Sequence, residues 1–394
     1  MSMNETPAGE RVHIGFFGQR NAGKSSLVNA VTGQSLSVVS PTAGTTTDPV
    51  RKSMELLPLG PVLIIDTPGF DDEGDLGALR VQKTKQVLAE ADAAVLVVDA
   101  AQGKTPADDA MVALFQSRGT PYLIAWNKCD LCQNGIKIQS PNEIGVSALT
   151  GDQIDALKDK LARIARSDSP KLRLVADLLH PSDFAVLVTP IDKAAPKGRL
   201  ILPQQQTIRD ILEADATAIV VKEHELRDTL RHLSKPPALV ITDSQVFAKV
   251  TADVPLDVPL TSFSILFARY KGFLDCAVAG VRALETLPDG AKILIAEGCT
   301  HHRQCDDIGT VKLPRWIRGE LGRSFDFSFC SGLDFPEDLT QYGLIIHCGA
   351  CMLGERAVQR RMHAAQAQGV PFTNYGVTIA WLQGILERCL IFRR

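Results

Sequence analysis

The 394-residue sequence predicts an α/β protein of three domains, each built on a mostly parallel sheet. Three observations carry that reading. Short apolar runs alternate with amphipathic stretches at helical spacing, the pattern of strands laid side by side by crossover helices. A glycine-rich phosphate loop stands between the first apolar run and the first helix. Two Cys/His clusters each follow an apolar run near the carboxy terminus, and in open α/β sheets ligands collect just past the carboxyl ends of strands.

Composition narrows the function classes. The net charge is −3 and the pI about 6.3, so there is no basic footprint and nucleic acid is not an expected partner. No apolar run approaches the roughly 18 residues of a membrane span, and Met1-Ser2-Met3-Asn4-Glu5-Thr6 has neither the basic nor the apolar region of a secretory leader. A cytoplasmic protein without a membrane partner is expected. Nine cysteines, an odd number spread along the chain, fit reduced thiols and metal ligation better than a disulfide framework.

In the first third, a strand over Val12–Phe17 runs into Gly18-Gln19-Arg20-Asn21-Ala22-Gly23-Lys24-Ser25 and then a helix over Ser26–Thr32. This is a P-loop in its required context. Backbone N–H groups from Gly18 through Ser26 would wrap the phosphates, Lys24 would reach the β- and γ-phosphates, and Ser25 would take Mg²⁺. Gly44-Thr45-Thr46-Thr47 follows, with Thr46 expected on Mg²⁺ and among the catalytic residues. Asp66-Thr67-Pro68-Gly69 ends a strand over Val62–Ile65; Asp66 is placed to hold Mg²⁺ through water, and Gly69 to turn its N–H toward a γ-phosphate. After a strand over Tyr122–Trp126, Asn127-Lys128-Cys129-Asp130 and Ser147-Ala148-Leu149 form a base pocket. Asp130 can accept from both guanine N1–H and the 2-amino group, which adenine lacks, so the nucleotide is GTP or GDP. Cys129 and Cys132 share the Cys-x-x-Cys spacing, but ligation there would distort the base pocket.

A helix over Asp152–Ile164 ends before Ser167-Asp168-Ser169-Pro170, a first boundary. Strand and helix then alternate: Phe184–Val188, Gln204–Leu212, Thr217–Val221, His224–His232, Ala238–Thr242 and Asp243–Val250. This middle domain carries no catalytic constellation; Lys193, Lys197 and Arg199 are basic but read as solvated. Its expected task is dimerisation. The Pro-interrupted stretch Asp253–Pro259 reads as a second boundary, followed by an apolar helix over Ser264–Leu284 and strands at Ala291–Ala296, Phe325–Cys330 and Gly343–His347. The three domains are expected at 10–168, 180–260 and 264–394.

Cys299-Thr300-His301-His302 follows one of those strands and His347-Cys348-Gly349-Ala350-Cys351 another. Cys348 and Cys351 can bend onto one centre, and Cys299 from a separate loop makes three thiolates, a set that suits an iron–sulfur cluster or zinc. A closed zinc site would take His301 or His347 as fourth ligand. Cys305 and Asp306 are further fourth-position candidates.

The nucleotide motifs together resemble the G-domain of the Era/TrmE-like GTPases. Phe70 stands where Ras-like GTPases carry a water-positioning glutamine. Asn21 and the threonine-rich segment resemble the potassium-activated members, in which such an Asn helps bind K⁺. A G-domain joined to Cys299/His301 and His347/Cys348/Cys351 resembles the HydF family, GTPase maturation factors of FeFe-hydrogenases, over essentially the whole chain. The resemblance implies a homodimer with GTPase, dimerisation and cluster-binding domains, carrying a 4Fe–4S cluster on Cys299, Cys348 and Cys351. It further implies a scaffold or carrier for a transient two-iron precursor, served by the radical-SAM maturases HydE and HydG and delivering to apo-hydrogenase. The alternative expectation is a regulatory GTPase of ribosome or RNA metabolism with a zinc or iron–sulfur binding module.

Overall fold

The computed structural model describes residues 8–33, 49–69, 75–132, 136–165, 173–190, 200–298, 307–332 and 334–391, with backbone alone at 8 and 75–82. The Gly44–Thr47 motif with Thr46, Phe70, the bases Lys193, Lys197 and Arg199, and the ligand candidates Cys299, His301, His302, Cys305 and Asp306 lie outside the described residues. Met1–Pro170 and Lys171–Arg394 form two compact units.

The first unit holds strands β1 (Val12–Gly18), β2 (Val50–Leu56), β3 (Gly60–Asp66), β4 (Ala93–Asp99), β5 (Tyr122–Asn127) and β6 (Glu143–Gly145), in the order β2-β3-β1-β4-β5-β6. All pairings are parallel except β2 with β3. The helices are α1 (Lys24–Thr32), α2 (Asp75–Glu90), α3 (Pro106–Ser117) and α4 (Ile154–Ala165). Every residue of β4 is buried, as the unbroken apolar run of a central parallel strand requires. β2 is a largely exposed edge; with no apolar run to mark it, it was not expected. β1 lies between β3 and β4, so the P-loop leaves the sheet where strand order reverses.

The second unit holds two four-stranded parallel sheets. The first comprises β7 (Phe184–Val188), β8 (Thr217–Val221), β9 (Leu239–Thr242) and β10 (Leu260–Ser262), in the order β10-β9-β7-β8. Helices α5 (Leu202–Glu213), α6 (Leu226–His232), α7 (Phe247–Asp253) and α8 (Phe263–Tyr270) accompany it. The next helices are α9 (Leu274–Val281) and α10 (Ala283–Thr286). β11 (Lys292–Glu297), β12 (Asp326–Ser331), β13 (Leu344–His347) and β14 (Phe372–Asn374) make the last sheet, in the order β12-β11-β13-β14. It carries α11 (Leu313–Leu321), α12 (Glu355–Ala367), α13 (Tyr375–Leu382) and α14 (Leu386–Cys389).

Two expectations for this unit change. The helix expected over Ser264–Leu284 is three helices, because Gly272 takes φ of 72° after α8, a left-handed value open to glycine that ends a helix. The Pro-interrupted stretch does not end the middle domain's core. Val254 and Val258 are buried in it, the chain continues into β10 beside β9, and Phe263, Leu266 and Phe267 of α8 pack into the same sheet's core.

Candidate functional site

In the first unit the P-loop is fixed by close backbone approach. A Cβ on Gly18 would lie 2.4 Å from the Val97 carbonyl oxygen of β4, and one on Gly23 would lie 2.2 Å from Asn127 Nδ2; real contacts are far longer, so both positions demand glycine. Asn21 sits in the left-handed region at φ 60°, which Asn tolerates better than most residues. That geometry is a sufficient backbone reason for an asparagine there, whatever else its amide does.

Lys24 Nζ donates to the Gly18 and Gln19 carbonyls, each at 2.8 Å, which curls its ammonium over the mouth of the loop. Ser25 Oγ donates to Asp66 Oδ2 at 2.8 Å, so two of the three side chains expected on Mg²⁺ meet; Thr46 lies outside the described residues. Thr67 Oγ1 bonds the Phe16 carbonyl at 2.7 Å, pinning the start of the Asp66–Gly69 turn to β1. Gln19 reaches from the P-loop to Thr105 and to Asp108 Oδ2, the latter at 2.9 Å, and Thr105 and Asp108 form the capping box that starts α3. The sequence reading missed this tie.

The base pocket is assembled by Asn127. Its Nδ2 donates to the Ala22 carbonyl at 3.0 Å and its Oδ1 accepts from Ala148 N–H at 3.0 Å, so one amide locks the P-loop, the β5 end and the Ser147 loop together. Ser147 Oγ donates to Asp130 Oδ1 at 2.6 Å and orients that carboxylate. Lys128, left-handed at φ 66°, bonds Asp99 Oδ2 at 2.6 Å. Burial alone would raise the Asp99 carboxyl, but the Lys128 ammonium and the Ala101 N–H outweigh it and hold it below the usual carboxylate range. Cys129 Sγ lies 3.0 Å from the Trp126 carbonyl, a local contact within the loop.

In the second unit β11 and β13 are neighbours, with Ala296 opposite His347, and the strand order reverses between them. The residues just past their ends therefore sit in a switch-point crevice. Gly298, the residue before Cys299, donates its N–H to Cys348 Sγ at 3.0 Å, and Ala350 N–H donates to the same sulfur at 3.3 Å. Ala350 is fully buried with φ of 56°, and this left-handed residue makes the reversal between the two cysteines. Cys348 packs against the last sheet's core and Cys351 against that of the middle sheet, so the loop lies on the seam between the two sheets of this unit.

Burial, then the neighbouring Cys351, pushes the Cys348 thiol up to about 11, and burial likewise raises Cys351. As bare thiols both hold their protons at neutral pH; a bound metal would displace them. The donor chemistry fits such a group, since Cys348 Sγ accepts two backbone N–H groups, as metal-bound sulfurs do. Among the described residues no set of three or more Cys, His, Asp and Glu side chains comes together for a metal; Cys299 and its neighbours lie outside them.

His347 is one of the candidate fourth ligands. It is fully buried, with Nε2 3.0 Å from an Arg361 nitrogen and Nδ1 2.9 Å from the Cys348 carbonyl. A guanidinium only donates, so Nε2 accepts and Nδ1 carries the proton that bonds the carbonyl. Both ring nitrogens are committed, and burial followed by the Arg361 charge lowers its pKa to about 3. His347 is a neutral strut under the loop. Two residues absent from the sequence reading also grip this loop, Arg361 and Lys271. Arg361 stands among the other bases of α12, Arg356 and Arg360, and Lys271 directly follows α8, so in the sequence both resemble solvated surface cations.

Fold and site together define a guanine-nucleotide switch domain followed by a cysteine-bearing pair of parallel α/β sheets. Residues 13–128 match a family described as 50S ribosome-binding GTPase, so the first unit carries a GTPase domain. Residues 174–272 match the Hydrogen maturase F dimerization domain and residues 275–392 the Hydrogen maturase F tetramerization domain. The chain belongs to the hydrogen maturase F family. The tRNA modification GTPase MnmE of Burkholderia orbicola is 35% identical over 163 residues, 40% of this chain and 35% of the relative. MnmE of Burkholderia ambifaria is 34% identical over 163 residues with the same coverage of 40% and 35%. The chain thus spans about a third of the length of these curated relatives. Among solved structures, Era of Aquifex aeolicus bound to GDP·AlF4⁻ is 20% identical, covering 56% of this chain and 98% of that one with a TM-score of 0.35. The G domain of Thermotoga maritima FeoB is 22% identical, covering 40% and 100% with a TM-score of 0.30.

Proposed function

We propose that the protein is a GTP-hydrolysing scaffold or carrier in FeFe-hydrogenase maturation. It binds a 4Fe–4S cluster through Cys299, Cys348 and Cys351 and passes a two-iron precursor, received through HydE and HydG, to the apo-hydrogenase. The observation that carries this reading is the Cys348–Cys351 loop at the switch point of the last sheet. Its sulfur is bonded by the N–H of Gly298, directly before Cys299, within a chain that opens with a complete P-loop and guanine pocket. When bound, the cluster supplies an iron at which a further iron fragment can be attached and released. The chain's own residues shape the loop, supply backbone donors to Cys348 and withhold His347 from the metal.

In the first unit, Lys24 and the P-loop N–H groups hold the β- and γ-phosphates, Ser25, Asp66 and Thr46 hold Mg²⁺, and Asp130 selects guanine. Gly69 senses the γ-phosphate. Asn21 offers its amide oxygen to K⁺ beside the phosphates, supplying positive charge where a water-positioning glutamine is replaced by Phe70. The family's dimerisation and tetramerisation domains support a homo-oligomer, with the dimer through the middle sheet. Among the described residues no helix is long and apolar enough to cross a membrane, consistent with a cytoplasmic site of action.

Anaerobic purification with metal analysis tests the central claim. Iron and acid-labile sulfide in equal amounts, with brown charge-transfer absorption that disappears in Cys348→Ala, are expected. A colourless protein holding stoichiometric zinc would overturn it.

A further inference from the structure

We propose that Lys271 and Arg361 are the positioning cations of the Cys348–Cys351 loop, one from each sheet's half of the second unit, and that their charges offset negative charge on the two sulfurs when a metal centre is bound. This rests on the cluster-binding reading above.

Lys271 follows α8, whose apolar face belongs to the middle sheet's core. It is only 3% exposed. Its ammonium donates to the Ala350 carbonyl and, at 2.6 Å, to the Leu353 carbonyl, and it lies 5.6 Å from the centroid of the Phe267 ring. It therefore grips the left-handed residue that makes the reversal between the cysteines. Arg361, on α12 of the last sheet's half, is 8% exposed. It donates to His347 Nε2 at 3.0 Å and to the Gly332 carbonyl, and stacks 5.0 Å from the Phe335 centroid. Through His347, which bonds the Cys348 carbonyl, it braces the other end of the same loop.

Charge gives the second half of the argument. A buried cation is costly unless negative charge lies near it. Among the described residues Arg361 makes no ion pair with a carboxylate; the acidic groups that bear on it are the Cys330 and Cys348 thiols, and Cys348 turns negative only when a metal displaces its proton. Lys271 acts in the same sense on Cys351. One cation thus grips each end of the loop, an arrangement that favours, once a cluster is bound, its more negative reduced state. Since Lys271 lies in the dimerisation-domain match and Arg361 in the tetramerisation-domain match, the loop is held from both domains.

The test is an EPR-monitored redox titration of the full-length chain after anaerobic reconstitution with iron and sulfide. Lys271→Met and Arg361→Met should keep iron near the unsubstituted level and move the midpoint potential to more negative values, the double variant further than either. Lys271→Arg and Arg361→Lys should stay close to the unsubstituted protein. A role confined to folding would lower the melting temperature and leave the midpoint unmoved, and that result overturns the proposal. So does a shift in the charge-keeping variants as large as in the Met variants. If a Met variant fails to fold, Lys271→Gln and Arg361→Gln set against the charge-keeping pair make the same comparison. Failure of the unsubstituted chain to take up iron would strike the cluster reading itself, before any variant is compared.

Discussion

Asp130 is the side chain proposed above to select guanine. Its carboxylate is oriented by Ser147 at 2.6 Å and has two acceptor oxygens for guanine. Asp130→Asn replaces an acceptor by a donor, and losing a charge-assisted hydrogen bond costs about 1.5–3 kcal/mol. GTP affinity measured by titration calorimetry should fall about 10- to 100-fold, with xanthosine nucleotides now preferred; unchanged GTP affinity would refute the guanine-pocket assignment. Asn21 gives a second residue-scale prediction. GTP turnover should rise in K⁺ over Na⁺ at matched ionic strength and lose that difference in Asn21→Ala, and equal rates in the two salts for the unsubstituted protein would discard the idea. At this scale the nucleotide site was legible because each motif is contiguous and its spacing is fixed by backbone wrapping around phosphate. The loop at Cys348–Cys351 was legible only in its cysteines. Spacing along the chain cannot reveal that Arg361, on a different element, donates to the His347 ring.

Elements that face a core on both sides announced themselves: β1, β7 and β13 are apolar runs and fall within a residue or two of the strands expected there. Elements defined by edges or by backbone freedom did not. β2 is mostly exposed and has no apolar pattern, while the break after α8 depends on one glycine. Gly280 in α9 is another such position, since a Cβ there would lie 2.1 Å from the Phe372 carbonyl oxygen and 2.7 Å from its carbonyl carbon. The contact is with the backbone of β14, which cannot swing aside like a side chain. Gly280→Ala should therefore push α9 off the last sheet and cost about 1–3 kcal/mol, the usual range for overpacking. Chemical denaturation of the full chain should show the transition of the second unit moved to lower denaturant. A variant as stable as the parent would mean that α9 and β14 separate more readily than this packing allows.

At the scale of the whole molecule, the chain is two compact units, Met1–Pro170 and Lys171–Arg394, and each holds the described supports of its own site. The phosphate loop, its Asn127 lock and the Asp99–Lys128 pair all lie in the first unit. The cysteine loop, His347, Arg361 and Lys271 all lie in the second. The hydrogen bonds named above for each site join residues of its own unit, so damage at one should leave the other's chemistry nearly intact. Cys348→Ala removes a sulfur that accepts the Gly298 and Ala350 N–H groups, and it should abolish hydrogenase maturation in a reconstituted assay while GTP turnover stays within about threefold, under 1 kcal/mol in the barrier. The reciprocal variant, Lys24→Ala, should lose GTP turnover yet still take up iron and sulfide anaerobically. If Cys348→Ala retains its melting temperature but loses GTP turnover along with maturation, the two sites are energetically coupled, and the GTPase then reads the state of the cysteine loop instead of running independently of it.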